Sequence, residues 1–436
     1  MDTTLFVASR SVTSENQFSY PVIRNSLASV VSALESLPAW AGVLGTNLSD
    51  ARVVLRKPPP FAVEGDVADR PVALRDRDMD RIRHWFEVAL GVRLSKQNVV
   101  DAVRLVADKN AFHPVRDYLT GLSWDGRPRV EQWLERFAAV RPRGEGEAAL
   151  VQSVAKKWLV SAIARAMQPG CKVDTMLILE GRQGIGKSRA LATLAGPRFF
   201  SDAAIDFGTK DACQTIQGVW ICELAELDAI LRRDPAVVKA FLSRAIDRFR
   251  DPYGRTPENV PRGVVFAGTV NHGAYLRDTT GNRRYWIVRC EQPLDIEGLA
   301  AARDQLWAEA LHLYRSGETW HLDSTNERSM ADVTDARVEA DPWEALLAAW
   351  TAERGTFSMD DVLGDALGLR TSSLSSHVTT RVSRLLSRLG FERRRRTRLP
   401  RVYEYVRVDV QPSPRPGGPA QTSELACDTL TPGSYR

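Results

Sequence analysis

The run Gly181-Arg182-Gln183-Gly184-Ile185-Gly186-Lys187-Ser188 fits G-x-x-x-x-G-K-[ST], and its residue types are those a polyphosphate needs. Gly181, Gln183, Gly184, Ile185 and Gly186 form a segment whose backbone N–H groups would converge on the β- and γ-phosphates. Lys187 would neutralise phosphate charge and Ser188 would hold Mg²⁺. Met176 to Leu179 before it reads as a buried strand, and Ser188 to Leu194 after it has helical composition. That puts the loop at a helix N-terminus, whose dipole favours anions. A glycine-rich turn capped by Ser188 is the plainer alternative.

A second buried strand, Gly218 to Glu226, ends in acid. Glu223 is placed to hold Mg²⁺ through water and Glu226 to polarise an attacking water, with the reverse assignment open. The two could also be dipole partners at a helix start. A third strand, Val264 to Thr269, leads to Asn271, either a sensor of the γ-phosphate or attacking water, or the opening of a turn. Arg283 and Arg284 precede a further apolar strand. A guanidinium there could reach a neighbouring subunit's nucleotide, cover a sheet edge or touch DNA.

These residues need a large scaffold, and 436 residues allow two to four domains. Five cysteines, widely spaced and odd in number, argue for a reducing compartment and against structural zinc. No secretion signal and no apolar span long enough for a bilayer is visible, so a cytoplasmic protein with no membrane partner is expected. Residues 1 to about 18 read as a mobile terminus. Helical spacing follows in Leu27, Val30, Val31 and Leu34, then in Ile82, Trp85, Phe86 and Leu90, then in Val99, Val103 and Val106 after Ser95. A long helix is predicted over Glu147 to Met167. His113 and Trp124 lack partners at acid–base or ligand spacing and are assigned to packing.

The net charge of +5 is concentrated near the C-terminus. Asp341 to Arg354, a segment capped by Ser358, and Ser376 to Leu389 read as three helices. A basic hairpin through Arg393, Arg394, Arg395, Arg396 and Arg398 to Val406 follows. This is a winged helix-turn-helix pattern, in which Arg381 and Arg384 would enter a groove while the arginine wing grips backbone. A winged helix that binds protein is the alternative. The Pro- and Gly-rich tail beyond Gln411 reads as disordered.

Taken in order, the runs GRQGIGKS at 181, VWICELAEL at 219, FRDPYGR at 249, VFAGTVN at 265 and LRDTTGNRRYW at 276 resemble the virulence-associated protein E family of phage and genomic-island proteins. That family is similar to superfamily 3 helicases, a branch of the AAA+ ATPases. FHPVRDYL at 112 and LSWDGRPRV at 122 look like its helical lead-in. The resemblance implies an α/β AAA+-type P-loop NTPase core, preceded by a helical region and followed by the winged helix. It assigns Gly184, Gly186, Lys187 and Ser188 to the phosphate loop, Glu223 and Glu226 to the acidic motif, Asn271 to the sensor and Arg283 or Arg284 to the finger. Lys239 to Arg262 would carry a channel hairpin, with Lys239, Arg244, Arg248, Arg250, Tyr253 and Arg255 tracking a single strand. The acids stand as E-x-x-E, not adjacent as they often are in AAA+ proteins.

The expected domains are an accessory region over 1–75, a helical lead-in over 76–168, the NTPase over 169–335, the winged helix over 336–410 and a tail over 411–436. The expected function is an ATP- and Mg²⁺-dependent, DNA-stimulated ATPase. It would be a ring-forming replicative helicase, with a hexamer among the candidate sizes and any primase on a separate chain. The alternative is an NTP-gated initiator or regulator that binds DNA without unwinding it.

Overall fold

The spacing of Leu27, Val30 and Leu34 produces helix α1 (Leu27–Ser36), which buries Val30, Ala33 and Leu34 and stops before Pro38. It is the first element of a computed structural model that describes residues 23–62, 71–209, 211–233, 235–249, 258–271, 273, 275–276, 281–338, 341–369, 376–395 and 403–408. The predicted mobile terminus before residue 19, Arg250, Tyr253, Arg255, Arg396, Arg398 and the tail beyond Gln411 lie outside the described residues. The chain forms two units, Met1–Glu339 and Ala340–Arg436.

In the first unit β1 (Leu44–Asn47), β2 (Arg52–Leu55) and β3 (Val72–Ala73) make an antiparallel sheet in that order. Helices α2 (Asp76–Leu90) and α3 (Lys96–Lys109) close a core with α1 around Trp40, Ile82, Phe86, Val99 and Val103. Ser95 caps α3, its hydroxyl accepting the Asn98 N–H at 3.2 Å. His113 caps α4 (Pro114–Gly121), its Nδ1 accepting the Arg116 N–H at 3.3 Å. Trp124 packs on His312 with ring centroids 4.7 Å apart. Both residues assigned to packing are therefore accounted for by capping and stacking.

Helix α5 (Trp133–Phe137) and the long α6 (Glu145–Met167) lead into the main sheet. Along the chain follow β4 (Met176–Glu180), α7 (Lys187–Ala195), β5 (Phe200–Ser201), α8 (Asp211–Thr215), β6 (Ile221–Leu224), α9 (Leu227–Arg233), α10 (Pro235–Leu242), β7 (Ile246–Phe249), β8 (Glu258–Pro261), β9 (Val265–Val270), β10 (Tyr285–Arg289), α11 (Ile296–Arg315) and α12 (Ser324–Asp335). Five strands pair in the order β10-β4-β9-β6-β5, every neighbour parallel. Parallel sheets are buried on both faces, which is why Met176–Leu179 of β4 and Val265–Ala267 of β9 read as apolar runs. One face packs on α6, α7 and α11 through Trp158, Leu191, Leu194 and Trp307; the other packs on α9 and α10 through Leu227, Leu231, Val238 and Phe241. Strands β7 and β8 form a separate antiparallel pair. At its base the Arg262 guanidinium donates to both Asp247 oxygens, at 2.8 and 2.6 Å.

The second unit has its own core, with Leu347, Phe357, Val382, Leu386, Phe391 and Tyr405 buried together. Its elements are α13 (Pro342–Thr351), β11 (Thr356–Ser358), α14 (Met359–Asp361), α15 (Ser376–Arg388), β12 (Phe391–Arg395) and β13 (Tyr403–Arg407), with sheet order β11-β13-β12. It departs from the sequence reading twice. The hairpin gains a third strand, because β11 pairs with β13. The helix capped by Ser358 is a single turn that widens into a π-turn over Val362–Ala366, where Gly364 weakens helical propensity.

Burial holds the His113 imidazole at about 4, well below its ordinary range, so it is neutral and free to accept at pH 7. Between the ordinary histidine value and about 4 the unfolded chain takes up a proton that the folded one refuses, so stability is full at neutral pH and falls as pH drops through that window. Lowering pH from 7 to 5 should cost about 1–2 kcal/mol at this site. Urea unfolding of His113→Asn, which keeps a capping acceptor, should show that part of the slope removed.

Candidate active site

Because its strands run parallel, the main sheet gathers the C-terminal ends of β4, β9 and β6 on one edge. Gly181 follows β4, Asn271 follows β9, and Glu223 lies at the end of β6. Between β4 and α7 the chain turns through Gly184 and Gly186, both left-handed, with φ +83° and +100°. A side chain at Gly181 would lie 2.6 Å from the Cys290 carbonyl oxygen, so only glycine fits there. Lys187 folds back over the loop, its ammonium donating to the carbonyls of Gly181 at 2.6 Å and Arg182 at 2.8 Å. Burial lowers its pKa from the ordinary lysine value.

Glu223 is 1% exposed. Its Oε1 accepts from the Ser188 hydroxyl at 2.7 Å and from the Thr269 hydroxyl at 2.6 Å. Its Oε2 is buried without a hydrogen-bond partner. Alternation along β6 and β9 explains the meeting: Glu223 pairs with Ala267, and Thr269 lies two residues further on the same face, toward α7 and Ser188. Sequence reasoning assigned Thr269 only to a strand. The available signal was a hydroxyl inside the apolar run VFAGTV, in phase with Asn271.

Glu226 is exposed at the start of α9 and holds a left-handed φ of +49°. Asn271 is exposed at the same sheet edge. The arginine pair lies elsewhere. Tyr285 pairs with Met176 and Arg289 with Glu180, so Arg283 and Arg284 sit at the opposite edge, about 16 Å along the strands from the loop. Arg284 donates to the Ser243 hydroxyl at 3.0 Å and to the Gly281 carbonyl at 3.2 Å. The Arg283 side chain is 65% exposed and approaches Asp174 only at 4.0 Å.

Of the cations assigned to nucleic acid, Lys239 is buried, its ammonium 5.9 Å from the Tyr285 ring centroid. Arg244 and Arg248 are exposed. In the second unit Arg381 is tied to both Asp341 oxygens at 2.8 and 2.7 Å and lies 4.0 Å from the Trp343 ring centroid. Arg384, Arg393, Arg394 and Arg395 are exposed; Arg393 stacks on Tyr403 at 4.0 Å, and Arg394 approaches Glu392 at 3.3 Å.

Among the described residues there is no cluster of three or more His, Cys, Asp or Glu suited to a metal, and no helix long and apolar enough to cross a membrane. Ser188 and Glu223 still fit a Mg²⁺ ion held partly by phosphate and water, because the bare Oε2 is a buried acceptor lacking a donor.

The family model of the virulence-associated protein E-like domain matches residues 119–339. No curated protein matches the sequence. Among solved structures, the apo C-terminal region of NrS-1, residues 305–718, is similar at 10% identity and a TM-score of 0.40, covering 84% of this chain and 96% of that one. A Drosophila ORC structure bound to DNA is similar at 12% identity and a TM-score of 0.16, covering 67% of this chain and 95% of that one.

A buried anionic oxygen without a donor is costly to the folded chain alone. Glu223→Gln keeps an acceptor for Ser188 and Thr269 and replaces the buried charge by a neutral amide, which costs less to leave without a partner, so it should raise stability in urea unfolding by about 1 kcal/mol.

Proposed function

The chain belongs to the virulence-associated protein E-like family, and on its site geometry we propose that it is an ATP- and Mg²⁺-dependent, DNA-stimulated ATPase acting as a ring-forming replicative helicase of a phage or mobile element. One observation carries the reading: the Lys187 loop, the Ser188–Glu223 pair and Asn271 converge on a single edge of a parallel sheet. The backbone of Gly181 to Gly186 would cradle the phosphates, and Lys187 would exchange its loop carbonyls for phosphate oxygens. Ser188 and Glu223 would hold Mg²⁺, which when bound supplies positive charge against the phosphate oxygens. Glu226, exposed at the same edge, orients the attacking water, and Asn271 senses the γ-phosphate. Arg283, too far from its own loop, serves the nucleotide of a neighbouring copy.

We infer an AAA+-type P-loop core in the first unit and a winged helix-turn-helix in the second. Arg384 on α15 and the arginines of β12 would meet duplex DNA there. Arg381 supports that surface by locking Asp341, the cap of α13, onto α15.

A second reading, an NTP-gated DNA-binding initiator or regulator, is favoured by the burial of Lys239. It leaves Arg244 and Arg248 as the exposed cations of the channel segment among the described residues. Strand displacement separates the two, since ATP-driven unwinding excludes a regulator alone.

Lys187→Ala should abolish DNA-stimulated hydrolysis, and intact activity in that variant would sink the proposal. Arg283→Ala should lower hydrolysis about 10³-fold with nucleotide binding retained. Mass measurement with nucleotide and forked DNA should show a multimer, as a finger acting between copies requires.

A further inference from the structure

Thr269 is a polar residue in a strand whose neighbours are buried on both faces. It is 7% exposed, and its hydroxyl donates to Glu223 Oε1 at 2.6 Å. The Ser188 hydroxyl donates to the same oxygen, at 2.7 Å. Two donors on one oxygen and none on the other is an uneven use of a buried carboxylate.

The unevenness fixes an orientation. A carboxylate held by one hydroxyl can rotate about its terminal bond, and one held by two hydroxyls from different elements is pinned. Here the donors come from α7 and β9, and they leave Oε2 bare. Ser188 would offer a lone pair to the ion while its O–H donates to Oε1, a double duty that leaves Thr269 as the donor committed to Glu223 alone. Thr269 sits on the sheet, in the strand next to β6, and has no such second duty.

We propose that Thr269 is a positioning residue for Mg²⁺–nucleotide. Its hydroxyl locks the Glu223 carboxylate so that Oε2 faces the water shell of the ion, and it shares Oε1 with Ser188, which the ion would also hold. The inference rests on the reading of this edge as a Mg²⁺–nucleotide site. A threonine that only satisfied its own buried hydroxyl would be replaceable by valine, which has nearly the same shape and no need of a partner.

The experiment measures the affinity of a fluorescent ATP analogue in EDTA and in a Mg²⁺ titration, for the full chain and for Thr269→Val, Thr269→Ser and Glu223→Gln. Affinity in EDTA should be the same in all four proteins. In Thr269→Val the Mg²⁺ needed for half-maximal enhancement should rise about 10- to 100-fold, as it does when a group supporting a metal ligand is removed. Thr269→Ser should restore the wild-type titration, because it returns the hydroxyl and not the methyl. An unchanged titration in Thr269→Val overturns the proposal. So does a loss in Thr269→Ser as large as in Thr269→Val, which would assign the effect to packing, and so does full enhancement in Glu223→Gln. Failure of the wild-type chain to bind the analogue, with or without Mg²⁺, would instead remove the underlying nucleotide reading. Urea midpoints of the four proteins check the fold, and a Thr269→Ala variant with the same Mg²⁺ shift stands in if the valine does not fold.

Discussion

A buried carboxylate with one oxygen satisfied and the other bare is the constraint around which the first unit is built. Glu223 is taken out of water by two apolar cores on either face of the sheet, and desolvating such a group costs several kcal/mol unless it is compensated. The compensation comes from side chains that no local rule brings together. Ser188 is 35 residues away and Thr269 is 46. They meet Glu223 because β6 and β9 are neighbours in register and α7 packs on the same face. The parallel sheet is therefore the device that makes the half-satisfied acid possible, and the acid gives its edge a polar focus.

The same parallelism separates chemistry by edge. Everything that follows a strand gathers with the loop, and everything that precedes one lies about 16 Å away. Arg283 and Arg284 precede β10, so their distance from the loop follows from strand direction and not from side-chain conformation. Their surroundings then divide them. Arg284 is held by Ser243 and the Gly281 carbonyl, a structural set of contacts, whereas Arg283 projects into solvent.

Much of this was legible in the sequence, and for identifiable reasons. The apolar runs at Met176 and Val264 read as buried strands, glycine spacing marked the loop, and Ser95 marked a helix start. What was not legible was pairing across long separations. Asp247–Arg262 at the hairpin base, Arg337 donating to Glu180 at 2.9 Å, and Thr269 on Glu223 each depend on tertiary register. Nor does a count of charges show where each side chain sits. Lys239 and Arg381 read as cations for nucleic acid, yet one is buried near an aromatic ring and the other is neutralised by Asp341. Helices α11 and α12 carried no motif and went unassigned, although α11 supplies Trp307 to the main core.

The two acids of β6 and its exit, left interchangeable by sequence, differ in every physical respect. Glu223 is buried and bonded to the residue that follows Lys187, which on the proposed reading suits it to fixing an ion's shell. Glu226 is exposed and sits in the left-handed region, where a residue with a side chain costs on the order of 1 kcal/mol. That conformation lies where β6 gives way to α9, and the N–H of Ala229 closes the turn onto the Glu226 carbonyl at 2.9 Å. The E-x-x-E spacing follows from this turn. An acid adjacent to Glu223 would point to the other face of the sheet, where Leu224 is buried, whereas three residues on, beyond the strand end, the chain has turned and the side chain is exposed. On the proposed reading the strain at Glu226 keeps the second acid at the site's edge without burying it, so that the ion and the water are served by carboxylates of opposite solvation.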